Sequence, residues 1–151
     1  MKRFGLHVSI LALFVAGISC IGGAQTVGLS VDVPFQFNVG ERVLPAGHYL
    51  ILAPQGDTLR VLGPNGTAVL AMANQVSGNT PSGVGIVDFN CYANRCFLSQ
   101  VWSARTDTGK ELLTSRTEQE LARRADQVAV IALRATPHGE RQENTTGKRN
   151  C

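Results

Sequence analysis

The chain is poor in the residues that announce chemistry. It has three histidines in 151 residues, and His48 and His138 stand far apart, in no ligand-like spacing with the cysteines, so no zinc or other metal site is expected. The four cysteines include no C-x-x-C pair, which argues against a thioredoxin-like redox motif. Gly109-Lys110 lacks the upstream glycine of a phosphate loop. Removing Lys2 and Arg3 from the 14 basic residues leaves the rest nearly balanced by the 11 acidic ones. That balance excludes the electrostatic footprint of a nucleic-acid binder or of a protein held on an anionic membrane surface. Long hydrophobic runs are also missing. The one sustained apolar stretch, Leu6 to Ile18, is shorter than a membrane span, and no second stretch approaches that length.

That stretch is what a secretory signal needs. Lys2 and Arg3 precede it and Gly22-Gly23-Ala24 follows with small residues, so residues 1–24 read as a signal peptide and the remainder as exported, to the periplasm or beyond the cell. A lipoprotein using Cys20 is disfavoured, because Gly17 stands where a large aliphatic residue is required. Export permits disulfides.

The most informative stretch is Val84 to Ala104, which holds the sole tryptophan, Trp102, and the pair Cys91 and Cys96. Alternating apolar and polar residues mark two strands around an Ala93-Asn94 turn. In that register Tyr92 faces Arg95, Cys91 faces Cys96, Phe89 faces Leu98 and Val87 faces Gln100. One face then carries Val87, Phe89, Cys91, Cys96, Leu98 and Trp102, with Gln100 as its one polar member. The second pair out from a two-residue turn brings side chains close, which suits a Cys91–Cys96 disulfide. Across the polar face, Asp88 lies beside Ser99 and is expected to hydrogen-bond to it.

Elsewhere the pattern is also β. From Val27 to Val39 every odd position is apolar, giving one long half-buried strand or two in series, with Pro34 marking an edge, bulge or switch. Val43-Leu44, His48–Ala53, Thr58–Leu62, Thr67–Gln75 and Gln127–Leu133 read as further strands, separated by Pro/Gly turns. In His48–Ala53, Tyr49 and Ile51 share one face, and His48 and Leu50 the other. Arg105–Lys110 reads as a polar turn. Ser115–Ala125 is the one helix: Ser115 and Glu118 have capping-box spacing, and its charge run reads as a solvated face. The polar stretch from Ala135 to Cys151 reads as a disordered tail. The expectation is a mainly β domain over 25–134, a single antiparallel barrel or sandwich of about eight short strands with one late α-helix at 115–125.

Three stretches carry a resemblance: P-F-Q-F-N-V-G at 34–40 with L-P-A-G-H-Y at 44–49, C-F-L-S-Q-V-W at 96–102, and S-R-T-E-Q-E-L-A at 115–122. Together they resemble a family of small exported β-rich proteins, common in acidobacterial genomes and functionally uncharacterised. The likeness spans most of residues 31–125. It implies export and a scaffold role for Phe97 to Trp102, and supplies no activity or catalytic residue.

The functional expectation is a non-enzymatic exported module that binds an envelope or extracellular partner or serves a structural role. The alternative is a small hydrophobic-ligand barrel lined by Phe35, Phe37, Tyr49, Phe89 and Trp102, the same residues that would build an ordinary core. A hydrolase ranks below both, since Asp32, Asp57, Asp88 and Asp107 are scattered and His48 reads as a lone strand residue. No cofactor is expected. Cys151, left without a mate, points to a disulfide-linked dimer or a free thiol.

Overall fold

The computed structural model describes residues 27–53, 56–78 and 83–138. The signal, Cys20, Cys151 and the tail beyond His138 lie outside the described residues. The period-two stretch at the start forms two strands in series, β1 (Val27–Val33) and β2 (Phe37–Val39), with exposed Pro34 between them. Proline cannot donate to a ladder, and the chain changes sheet partner there: β1 pairs with β4, whereas β2 pairs with β3 and β8. The following strands are β3 (Arg42–Leu44), β4 (Gly47–Ala53), β5 (Thr58–Leu62), β6 (Ala68–Ser77), β7 (Gly85–Tyr92), β8 (Arg95–Trp102), β9 (Thr108–Leu112) and β10 (Ala129–His138). One helix, α1 (Arg116–Arg124), joins β9 to β10.

Eight strands close into a barrel in the order β1-β4-β5-β6-β9-β8-β7-β10 and back to β1, every neighbour antiparallel. The β2–β3 hairpin is additional. β2 lies parallel to the first part of β8, at Cys96 and Phe97, while β9 pairs with the last part, Gln100 to Trp102. Alternation sorts the side chains. Leu29, Val31 and Val33 of β1, Ile51 of β4, Leu59 and Val61 of β5, and Val87 and Phe89 of β7 fill the interior. Each such burial is worth about 1.5–3 kcal/mol before ordering costs are subtracted.

Two closing strands depart from the sequence reading. β9 occupies Thr108–Leu112, part of it read as a polar turn. It has no clean alternation, and tertiary contacts define it: it bridges β6 and β8, and the Lys110 amine reaches the Gly56 carbonyl across the barrel end. β10 does not stop at Leu133 but runs to His138, with Ala135 buried. Its last residues, Thr136 to His138, pair with Ser30 to Gly28 and close the wall.

The β7–β8 hairpin keeps the expected register near its tip, from Tyr92↔Arg95 to Phe89↔Leu98. Beyond Leu98 a bulge intervenes, and Asp88 pairs with Gln100, Val87 with Val101 and Ile86 with Trp102. Ser99 is the extra residue, and it moves every later side chain to the opposite face. Val101 therefore enters the core, and Gln100 and Trp102 stand outside with Asp88 and Ile86. The reading of Trp102 as a core-face residue is corrected by this shift. The expected Asp88–Ser99 contact is also replaced: Ser99 Oγ accepts from Asn90 Nδ2 at 3.2 Å, and Asp88 Oδ2 accepts from Trp102 Nε1 at 3.0 Å.

Helix α1 begins as its sequence implies. Ser115 Oγ accepts from the Glu118 amide at 3.2 Å, the reason serine is favoured at an N-cap. Its charged side is not uniformly solvated, however. Glu118 is buried against the outer face of the hairpin tip, with Oε1 3.5 Å from both Asn90 Nδ2 and the Tyr92 hydroxyl. From the β2–β3 turn, Glu41 accepts from the Thr117 amide at 3.2 Å and from its hydroxyl at 2.6 Å, placing a carboxylate where the helix N-terminus favours one.

Candidate functional site

Three places gather side chains that could act: the barrel interior, the outer face of the hairpin, and the outer face of β1 and β4. In the interior, four of the five aromatic residues singled out from sequence converge. Phe37 packs edge-to-face on Tyr49 at 5.0 Å and on Phe89 at 5.3 Å between ring centroids, and Phe35 meets Phe89 at 5.3 Å. Such geometry adds roughly 0.5–1.5 kcal/mol per pair beyond area burial. Phe37, Tyr49 and Phe89 are fully buried, and Phe35 is half-buried at the edge of the group. The Tyr49 hydroxyl donates to the Pro45 carbonyl at 2.6 Å, which anchors the L-P-A-G-H-Y turn, and burial pushes its phenol pKa up. Its ring also lies where a Cβ on Gly63 would sit, at 2.5 Å, so glycine is required there. These rings fill one another's space.

Trp102, the fifth, is elsewhere. Its ring lies over Gly109 on the outer face, where a Cβ would stand 2.6 Å from it. Its indole N–H holds Asp88, whose pKa is raised by burial and lowered in part by that hydrogen bond. At the hairpin's other end, Cys91 and Cys96 form a disulfide between directly opposed residues with Cα atoms 4.0 Å apart. That is the close spacing of a non-hydrogen-bonded pair. The bond belongs to the core side of the sheet. On the opposite side, burial raises the Glu118 pKa first of all, with hydrogen bonds from Asn90, Tyr92 and the Ser115 backbone pulling the other way.

The third place was not legible as a unit. Ser30 and Asp32 are both outward residues of β1, and His48 is outward on β4, directly opposite Asp32. The His48 ring bridges them. Nδ1 lies 2.7 Å from Asp32 Oδ1, and Nε2 lies 2.8 Å from Ser30 Oγ. An ionised carboxylate only accepts, so Nδ1 carries a proton; in the neutral imidazole Nε2 then accepts from the serine hydroxyl. The chain of contacts is hydroxyl to imidazole to carboxylate. It is open to water, with the His48 side chain 64% and Asp32 86% exposed. Leu50 is opposite Ser30, Leu62 is opposite Leu50, and both are half-buried on the same outer face. On the other flank, Thr136 is paired with Ser30 and donates weakly to its carbonyl, at 3.4 Å. The trace in the sequence was the polar outward set Ser30 and Asp32. What brought His48 to them was the β1–β4 register, which spans the β2–β3 detour and cannot be read from spacing.

Among the described residues, no group of three His, Cys, Asp or Glu side chains is placed to hold a metal ion, and no helix is long and apolar enough to cross a membrane. Comparison with known proteins finds no matching family model, no matching curated protein and no matching solved structure.

Proposed function

We propose that the chain is an exported β-barrel that works as a binding or structural module of the cell envelope or extracellular space. The observation that carries this reading is the Cys91–Cys96 disulfide, placed at the core side of a closed barrel. Structural disulfides persist in oxidising compartments, and this one supports a life outside the reducing cytosol. Large apolar residues on the outer wall, Leu70 and Met72 of β6 with Leu113 beside them, support contacts made from outside the barrel. The test is fractionation of cells with thiol-specific mass labelling, followed by photo-crosslinking from positions 70 and 72. Export with Cys91 and Cys96 blocked, and discrete crosslinked adducts, are expected. A cytosolic protein with both thiols free would overturn the assignment.

A second reading keeps a hydrophobic ligand in the barrel. It is favoured by the convergence of Phe35, Phe37, Tyr49 and Phe89 on one region. A ligand there would have to displace rings already packed on one another, which costs their mutual contacts. Saturable uptake of an environment-sensitive hydrophobic dye, lost in Phe37→Ala at retained folding, would support this reading over the first. No uptake by the intact protein would remove it.

A further inference from the structure

The Ser30–His48–Asp32 chain has the order of contacts that a serine nucleophile needs. The hydroxyl is on Nε2, and the carboxylate on Nδ1 fixes the tautomer. A purely structural role would be served by the directly opposed Asp32–His48 pair alone, worth roughly 0.2–1 kcal/mol as a cross-strand contact. It would not need a hydroxyl at 2.8 Å from the far ring nitrogen. Independently of the module's binding or structural role, we propose that these three residues form a serine esterase site on the outer wall of the barrel, acting on simple carboxylic esters with a short apolar acyl group.

The chemistry follows from the placement. Ser30 Oγ adds to the ester carbonyl carbon, and its proton passes to Nε2 while Asp32 holds the Nδ1 proton. Collapse of the tetrahedral adduct breaks the acyl C–O bond, and the Nε2 proton leaves with the alkoxide as alcohol. Water then repeats the sequence on the acyl-serine, giving the carboxylic acid and restoring Ser30. The acyl chain has one apolar shoulder to lie on, Leu50 with Leu62 beyond it. The Thr136 hydroxyl, across the ladder from Ser30, donates to the Ser30 carbonyl and so supplies no free donor to the developing oxyanion.

The same placement limits the rate. β1 is paired on both sides at Ser30, so the serine's own amide belongs to the ladder and not to an oxyanion hole. Loss of one such donor costs other serine enzymes about 10²–10³-fold. Asp32 is exposed, so it orients the ring while stabilising an imidazolium only weakly in high dielectric. Slow turnover of activated short-chain esters is therefore expected, and little selectivity for the alcohol.

The experiment uses the full chain, a fluorophosphonate probe with peptide mapping, and p-nitrophenyl butanoate. Label is expected on Ser30, with repeated turnover of the ester. Ser30→Ala should abolish both, and Asp32→Asn should slow labelling by about tenfold, each with a melting temperature within a few degrees of the parent's, because Asp32 is exposed and Ser30 is half-buried on the outer face. Asp32→Glu should restore part of the rate, which a merely structural role for Asp32 would not predict. Labelling of Ser30→Ala at the parent rate overturns the proposal. An unlabelled parent protein beside a labelled reference esterase overturns it as well, and so does acylation without a second turnover. Labelling of Asp32→Asn at the parent rate overturns the three-residue site.

Discussion

The two halves of the β7–β8 hairpin are built from the same alternating pattern and end with opposite relations to it. In the tip half, from Phe89 to Leu98, the pattern and the pairing agree: Phe89, Cys91, Cys96 and Leu98 all face the core. In the base half, Ser99 is inserted as a bulge and the pattern is read out on the other face, so Val101 is buried and Trp102 is outside. Each half also keeps one raised carboxyl on its outer side, Glu118 over the tip and Asp88 over the base. A bulge of one residue re-aims a side chain without altering composition. The largest aromatic in the chain was thereby taken from the core and given a polar partner.

The comparison can be broken at its strongest point first. Phe89→Ala in the tip half removes a fully buried ring with two edge-to-face partners. It should cost about 3–5 kcal/mol, a large share of the stability of a domain this size. Urea unfolding checks it, and a loss below about 1 kcal/mol would mean that the cluster is not the core. Next is the clamp. Replacing both Cys91 and Cys96 by alanine should cost roughly 2 kcal/mol, because the closed loop is small. An unchanged melting temperature of the oxidised parent and the variant would remove the clamp role.

In the base half, Trp102→Phe should cost about 1–2 kcal/mol by leaving the half-buried Asp88 without its donor. Asp88→Asn added to it should recover part of that loss. If Trp102 were a core residue, the loss would come from the cavity alone and Asp88→Asn would recover none of it. The smallest effect is a slope. Burial raises the Glu118 pKa above its ordinary 4.5, so the folded state binds its proton more tightly than the unfolded state. Stability from this group is complete below that ordinary value and falls as pH rises through the raised one. Glu118→Gln should flatten this decline in unfolding measured from pH 4 upward, and an identical slope in the variant would place the carboxyl in solvent.

Sequence was a good guide wherever local pattern and tertiary pairing coincide. The Val27–Val39 alternation, the proline switch, the register at the Ala93-Asn94 tip, the disulfide and the Ser115 cap were all legible for that reason. The bulge left one trace, Gln100 as the polar residue on an apolar face, which the shifted register resolves by placing it outside. The barrel was harder to tell from a sandwich, because closure depends on strands with weak signals. β9 is polar and contains Gly109 because the Trp102 ring occupies the space above it. The end of β10 contains Pro137 and is held by Gly28 to Ser30 alone. The Ser30–His48–Asp32 chain was illegible for a related reason. Two of its members share a strand, but the third arrives through pairing across the β2–β3 excursion.

Closure between the first and last strands has a temporal side. Gly28 to Ser30 find His138 to Thr136 only at the far end of the described chain, so the wall stays open until nearly all of it has been made. Contacts of such separation make folding slow. Until its last strand arrives, β1 keeps an unpaired edge, the kind of surface that other chains can pair with.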